Sequence, residues 1–471
     1  MKLILDFDGT LHSSDLLWEQ FVRIAKTRPT KLLQAVAALL QGGRPALKRS
    51  LHSHAPKEIK LPWIDEVIDF AKNHQANGYD SVVVVTASDE EAARHSLASA
   101  DLNWEVHGSK PGLNAKGLKK IPIINEISEA QSYCYVGDSP ISDLPVWKAS
   151  KHSGYVGELK KSKNIEKKLG REFSHVFQVK KNLPIALLQA ARPHQWLKNL
   201  LVFVPMLAAH DLGNLSVWLA AFAAFTAISL TASAVYILND LCDLDLDRGH
   251  LEKKHRPLAA GQLSIPAALS AIPAFFIAGL IVAQASPKMI PFLLVYITLT
   301  TIYSFFLKNL LAIDIIILAL LYTLRILAGA AACEITPSNW LLVFSFFTFF
   351  SLAIGKRFSE MVLLGNSISL QRAYTPQHSL PLLALGAAAS IIAIFIPALY
   401  VRDPQAGIYS KPEILLLLLP ILGAWFTRFW LNAAEGKILS DPVLFAAKDK
   451  FSWACAAIFV CVGFLASKIG N

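Results

Sequence analysis

A series of uncharged apolar runs limits what this chain can fold into more than any other feature. Residues 217–238, "VWLAAFAAFTAISLTASAVYIL", carry no charge over 22 positions, and about 20 such residues cross the hydrocarbon core of a bilayer as a helix. About nine segments of that length follow one another after residue 186, centred near Val204, Phe225, Phe275, Ile297, Leu320, Phe346, Ile391, Leu418 and Val460. Only 17% of the chain is charged against 54% hydrophobic, well below the roughly 25% charge of an ordinary soluble domain. The connections after the second, fourth, sixth and eighth segments collect Arg248, Lys253, Lys254, Arg256, Lys308, Lys356, Arg357, Arg372, Arg428, Lys437, Lys448 and Lys450. The opposite connections hold chiefly Lys288, Arg402 and Lys411. The positive-inside rule therefore expects the rich side, and the amino-terminal domain with it, to face the cytoplasm. An odd number of spans then puts the carboxyl terminus on the other side. Membrane topology accounts for the net charge of +10 better than nucleic acid does. "MKLILDFDGT" meets acid where the apolar core of a cleavable leader would continue, so none is expected. Five cysteines without metal or framework spacing read as reduced thiols.

The first 150 residues are different. "KLILDFDGT", "SVVVVTAS" and "SYCYVGDSPISD" are short apolar runs ending in polar residues, with helix-like segments between them. Alternating strand and helix predicts a parallel α/β sheet with its site beyond the carboxyl ends of the strands. Asp6, Asp8, Thr86, Asp138 and Asp143 fall at those ends. Two carboxylates two residues apart can serve as nucleophile and acid/base around one Mg²⁺. A distant Asp pair completes such a metal site, and a Thr hydroxyl with a Lys holds phosphate.

"DFDGTL", Thr86, the lysines of "KGLKKI" and "GDSPISD" resemble the four motifs of the haloacid dehalogenase (HAD) phosphatases over roughly the first 150 residues. The resemblance implies Asp6 as a nucleophile forming an aspartyl-phosphate, Asp8 as general acid/base and Thr86 as a phosphoryl ligand. It implies Mg²⁺ held around Asp6, Asp8 and Asp138, with Asp143 supporting the metal. Lys116 fits the family lysine better by spacing, and Lys120 fits as well. Residues 12–80 look like a helical cap inserted after the first motif.

Between two of the apolar runs lies "NDLCDLDLDRGHLEKKHRPLAAG", residues 239–261. Asn239, Asp240, Asp243 and Asp247 recur at helical steps and so share one helix face. Carboxylates gathered at a membrane helix end need a cation, and Mg²⁺ commonly bridges carboxylates to substrate phosphates. Lys253, Lys254, His255 and Arg256 are placed to neutralise further phosphate oxygens.

Nearly all of residues 186–471 resembles the UbiA superfamily of membrane prenyltransferases, bundles of nine transmembrane helices whose "NDxxDxxxD" motif is matched at Asn239–Asp247. In that family the motif holds Mg²⁺ and a diphosphate, and "YSFFLK", Tyr303 to Lys308, is also similar to the family pattern. Where ordinary members carry a second Asp-rich motif, this chain has "GKRFSE" with Lys356, Arg357 and Glu360. That departure, with "RPHQWLKN" (Arg192, Lys198 and Asn199), looks most like the decaprenyl-phosphate phosphoribosyltransferase branch. The resemblance implies 5-phosphoribosyl diphosphate as donor and a polyprenyl phosphate as acceptor. Asp240, Asp243 and Asp247 would hold Mg²⁺ on the leaving diphosphate, and Arg192, Lys198, Lys356 and Arg357 would bind the 5-phosphate or the lipid phosphate. Lys308, Asp314, Arg325 and Glu360 are further candidates. Asp441 and Asp449 either close the site's rim or cap helices.

The expected molecule has several domains. Residues 1–155 are an α/β, Rossmann-like HAD phosphatase domain, 156–185 a basic linker, and 186–471 an all-α nine-helix transmembrane bundle of UbiA type. The expected activity is bifunctional, making a phosphoribosyl lipid and dephosphorylating it, with Mg²⁺ in both domains. The expected place is the bacterial inner membrane, with both sites cytoplasmic. Aromatic prenylation from a polyprenyl diphosphate is disfavoured by the missing second acidic motif. A transporter with a regulatory HAD domain is disfavoured because charge sits at helix ends rather than at the midplane.

Overall fold

The structure is a computed structural model describing every residue except 130, 180–181, 365–373, 404–405, 407–408, 439–440 and 469–471; Arg372 lies outside the described residues. Two compact units divide the chain. Met1–Ala191 with Tyr236–Pro273 forms the first, and Arg192–Val235 with Ala274–Asn471 the second.

The first unit is built on six strands, β1 (Lys2–Leu5), β2 (Val82–Asp89), β3 (Glu105–Ser109), β4 (Tyr133–Gly137), β5 (His152–Gly157) and β6 (His175–Gln178). They form one parallel sheet in the order β3-β2-β1-β4-β5-β6. Its helices are α1 (Leu16–Thr27), α2 (Lys31–His54), α3 (Asp65–Lys72), α4 (Glu90–Ala98), α5 (Lys120–Ile127), α6 (Leu144–Ala149), α7 (Leu159–Leu169) and α8 (Leu183–Ala191). Strand parity sorts the two cores. Leu3, Leu5, Val82, Val84, Cys134 and Val136 pack on one face, and Ile4, Val83, Val85, Tyr133 and Tyr135 on the other. Both faces are covered, which is why these strands read as continuous apolar runs.

Two boundaries differ from the sequence reading. The sheet does not stop at residue 155: "KKSKNIEKKL" forms α7, which buries Ser162 and Ile165, and β6 then adds to β5. Its basic composition masks an apolar stripe at helical spacing. The inserted helices proper are α1 and α2, paired through Ile24, Ala35 and Leu51, whereas α3 sends Val67, Ile68 and Ala71 into the sheet core.

Further along are α9 (Val204–Ala208), α10 (Leu215–Cys242), α11 (Leu244–Arg248), α12 (Ile265–Ala283), α13 (Ile290–Phe305), α14 (Ile313–Ala332), α15 (Asn339–Leu364), α16 (Ser379–Tyr400), α17 (Leu418–Ala434), α18 (Pro442–Lys448) and α19 (Lys450–Lys468). Among the described residues eight helices are long and apolar enough to cross a membrane: α10, α12 to α17, and α19. The segment expected near Val204 takes another form, a 3₁₀ run over Pro193–Phe203 followed by the five-residue α9. Arg192 stands at φ +53, which breaks from α8, and Pro193 and Pro205 each remove a backbone donor.

Candidate functional site

In the first unit, strand order reverses between β1 and β4, the place where open α/β sheets gather ligands. Asp6 follows β1 and Asp138 follows β4, so the switch point brings them together. The Asp6, Asp138 and Asp143 carboxylates each offer an oxygen within 4.8 Å of the others. Gly9, at φ +76, closes this cradle, because a Cβ there would stand 2.3 Å from Asp138 Oδ2. An all-carboxylate donor set of this kind fits a hard divalent cation such as Mg²⁺.

Lys120, only 1% exposed, is the one of the two lysines that lies against this cluster. Its Nζ lies 2.7 Å from Asp6 Oδ2 and 3.5 Å from Asp143 Oδ1, and donates to the Tyr135 hydroxyl at 2.7 Å. Lys116, preferred by spacing, is exposed; α5 begins at Lys120, so its first residue is the one turned inward. Burial pushes the Asp6 carboxyl up to about 6 against the pull of Lys120, with Asp143 adding to the rise. Burial also works against the Lys120 charge, but Asp6 and Asp143 outweigh it and raise the ammonium above its usual range.

Asp8 points elsewhere. Its Oδ1 accepts from the Leu16 N–H at 2.8 Å and lies 3.3 Å from His12 Nε2, and its Oδ2 accepts from the Ser88 hydroxyl. Burial disfavours its charge, yet His12, Ser88 and Leu16 outweigh burial and hold it below the usual carboxylate range. Asp8 thus lies outside the group of three converging carboxylates, whereas the sequence grouped it with them. Thr86 is fully buried and its Oγ1 accepts from the Ser88 N–H.

Three partners escaped the sequence. His12, wedged edge-on between Phe7 and Trp63, stands only four residues past Asp8. Tyr135 donates to Asp143 Oδ1 at 2.9 Å from the strand leading to Asp138. Lys48, on α2, donates to the Ala87 carbonyl next to Thr86. Tyr135 was the legible one, since a hydroxyl in the middle of a buried strand needs a partner.

The aspartate stretch also belongs to the first unit. It does not lie on one straight helix. α10 ends at Cys242, Asp243 takes φ −100 and ψ 16, and α11 restarts at Leu244. The i to i+4 bonds continue, from the Asp243 N–H to Asn239 O at 2.9 Å and from the Asp247 N–H to Asp243 O at 2.8 Å. Asp240 and Asp247, each 2% exposed, converge on one cation, Arg256, whose Nη1 donates to them at 3.0 and 2.7 Å. Two buried carboxylates aimed at one positive centre are also a hard-oxygen pair fit for Mg²⁺. Asn239 and Asp243 are half-buried beside them, Lys253 is half-buried and Lys254 exposed.

The same loop is tied to α1. Arg248 makes a two-bonded pair with Glu19, at 2.8 and 2.9 Å. Arg23 donates to Glu19 at 2.6 Å and pairs with Asp245. Lys26 donates to the Cys242 carbonyl at the end of α10. Glu19 is fully buried; burial opposes its charge, but Arg248 and Arg23 lower it to about 2.

In the second unit, Lys198 Nζ lies 2.8 Å from Asp441 Oδ2, which also accepts from the Tyr322 hydroxyl. Lys356 interacts with the same carboxylate and with Glu360. Asp441 caps α18 through Val443 N–H, and Asp449 accepts from Ser452 and Arg428. Arg357 is already engaged, with Asp314 at 2.8 Å and Glu360 at 2.9 Å, while Tyr374 donates to Asp314; Tyr303 lies close enough to interact with Arg357. Asn199 is a bracket: it donates to Ser229 at 2.9 Å and accepts from Arg325 at 2.9 Å. Arg325 is buried over the Tyr296 and Tyr322 rings. Arg192 is half-buried, and so is Lys308 in the turn before α14.

Eight span-length helices and an aspartate loop define an integral membrane protein. Residues 199–361 match the UbiA prenyltransferase family, and the chain belongs to it, which makes it a transferase. An uncharacterized protein of Sinorhizobium fredii, y4nM, is 31% identical over 97% of this chain and 89% of its own length. Nodulation protein NoeC of Azorhizobium caulinodans is 33% identical over 57% of this chain and 88% of its own. Decaprenyl-phosphate phosphoribosyltransferase of Mycobacterium tuberculosis is 29% identical over 58% of this chain and 92% of its own. A UbiA homolog from Archaeoglobus fulgidus, solved bound to GPP and Mg²⁺, aligns at 19% identity with a TM-score of 0.45, over 60% of this chain and 99% of that one.

Proposed function

We propose that the chain transfers 5-phosphoribose from phosphoribosyl diphosphate to a polyprenyl phosphate, and that its amino-terminal domain is a HAD-type phosphatase that removes the 5-phosphate from the product. The observation that carries the first step is the pair of lysines on Asp441. Lys198 and Lys356 both face Asp441, and Lys356 holds Glu360 only loosely, at 3.9 Å, so two lysines are grouped where an incoming anion can take them over. A donor carrying a second phosphate needs such cations, whereas an isoprenoid diphosphate needs a second acidic clamp. The phosphoribosyltransferase name of a relative over 92% of its length supports the same reading.

In the transfer step an oxygen of the lipid phosphate attacks C1 of the ribose, the bond from C1 to the diphosphate oxygen breaks, and diphosphate leaves. Asp240, Asp243 and Asp247 are the residues that would hold Mg²⁺, which when bound neutralises charge on the leaving group. Arg256, already on Asp240 and Asp247, is placed to pass to a diphosphate oxygen. Lys198 and Lys356 bind the 5-phosphate. The reading puts the protein in the bacterial inner membrane with both sites at its cytoplasmic face.

In the hydrolytic step an Asp6 oxygen attacks phosphorus, and the ester bond breaks as the sugar oxygen takes a proton from the Asp8–His12 pair. Water then attacks the aspartyl-phosphate, returns a proton to that pair and releases phosphate. Lys120 and Thr86 hold the phosphoryl oxygens, and Asp6, Asp138 and Asp143 would hold Mg²⁺. Membranes supplied with polyprenyl phosphate and phosphoribosyl diphosphate test both steps by lipid mass. Wild type should give polyprenyl-phosphate ribose, Asp6→Asn should stop at the phosphorylated lipid, and Asp243→Asn should give neither. A phosphate-retaining lipid as sole product of wild type, unchanged by Asp6→Asn, overturns the phosphatase assignment.

A further inference from the structure

α2 is apolar on two opposite faces. One face packs on α1 through Ala35, with Leu32 beside it. Leu33, Val36, Ala37 and Leu40, at i, i+3, i+4 and i+7, form a second stripe on the far side. Leu33 is 74% and Leu40 83% exposed, and nothing among the described residues covers them. Gly43, at φ +68, breaks the helix just beyond the stripe, so residues 31–42 are a separate rod.

The charges beside this rod in sequence are of one sign, with Arg23 and Arg49 paired to carboxylates from other segments. Residues 20–57 contain no Asp or Glu, while Arg23, Lys26, Arg28, Lys31, Arg44, Lys48, Arg49 and Lys57 are all basic. Arg28, Lys31 and Arg44, which bracket the stripe, form no ion pair among the described residues. An exposed apolar helical stripe bracketed by cations, here Arg28, Lys31 and Arg44, suits a segment lying in a membrane interface, where apolar burial and attraction to anionic headgroups add.

The chain also brings this rod to a membrane-crossing helix. Lys26, near the end of α1, holds the last carbonyl of the 28-residue α10, at Cys242. Lys31, where the rod begins, is five residues on, at most about 17 Å of chain. We propose that residues 31–42 are an interfacial helix that inserts Leu33, Val36 and Leu40 among anionic lipids, and so holds the inserted helices of the α/β domain at the bilayer surface.

The test uses the full chain in nanodiscs of phosphatidylcholine with phosphatidylglycerol. A benzophenone amino acid replaces Leu40 or, in a second variant, Val36; an exposed site on α5, Glu126, is the control. Irradiation should yield lipid adducts at 40 and 36 several-fold above those at 126, and phosphatidylglycerol should be over-represented among them. Equal yields at all three positions, or adducts to a second copy of the chain in place of lipid, overturn the proposal. Both apolar positions are exposed, so the probes do not disturb the core.

Discussion

Lys120 and Lys116 differ by four residues and by almost everything physical. Replacing the buried Lys120 with Met removes the cation that faces Asp6 and Asp143 at once, so hydrolysis of p-nitrophenyl phosphate by the full chain should fall by about 10² or more, the usual loss for a charge-stabilising group. Lys116→Met, at an exposed position, should leave that rate within about twofold. Equal effects of the two substitutions would return the choice to spacing. A second pair separates binding from scaffold. Lys356→Ala should raise KM for phosphoribosyl diphosphate about tenfold, the worth of one charged hydrogen bond, with the folded yield unchanged. Arg357→Ala leaves the fully buried Asp314 without its guanidinium and should cost about 3–5 kcal/mol of stability, seen as lost folded protein. Adjacent in sequence, these cations were indistinguishable there, because spacing does not reveal that Asp314 lies across from one and not the other.

Helix α1 and the aspartate loop form one ionic lattice around Glu19. The Glu19 pKa sits near 2 in the folded chain against an ordinary value of 4.5. Its contribution is therefore complete above pH about 4.5 and is lost as pH falls toward about 2, a difference on the order of 3 kcal/mol. Thermal midpoints of the detergent-solubilised chain at pH 6 and pH 3.5 should diverge for wild type. Glu19→Gln should lower the midpoint at pH 6 and reduce the divergence; an unchanged divergence means that another carboxylate sets the acid limit. Much at this scale was legible beforehand. Apolar runs leading into Asp6, Thr86 and Asp138 gave the sheet and the end of it where the candidate site lies, although β2 continues past Thr86 to Asp89, because buried parallel strands leave continuous apolar signatures. The lattice was not legible, since Glu19 and Arg248 are 229 positions apart and each alone is an ordinary surface charge. Nor was the 3₁₀ run at Pro193–Phe203, where apolar composition matched a span and two prolines with a left-handed Arg192 decided otherwise.

At the scale of the whole molecule, the sequence reading placed the transfer motif in the membrane part and the phosphatase motif outside it. The contacts draw a different line, with Tyr236–Pro273 in the same compact unit as the α/β sheet. The loop that carries Asp240, Asp243 and Asp247 thus folds against α1, which begins at the Leu16 N–H held by Asp8. If the two proposed reactions share a chain so that one feeds the next, covalent linkage should matter by raising the effective concentration of phosphatase at the new lipid product. Mixing tests this directly. Asp6→Asn and Asp243→Asn chains, reconstituted together in vesicles at low protein density, supply one working copy of each activity on separate molecules. Polyprenyl-phosphate ribose should still form, but only after the phosphorylated lipid has accumulated and reached the second chain by lateral diffusion. Wild type at the same density should show little of that intermediate, and raising the density of the mixture should shorten its lag. An intermediate equally transient in mixture and wild type at every density would mean that the fusion serves some purpose other than transfer of the lipid between sites.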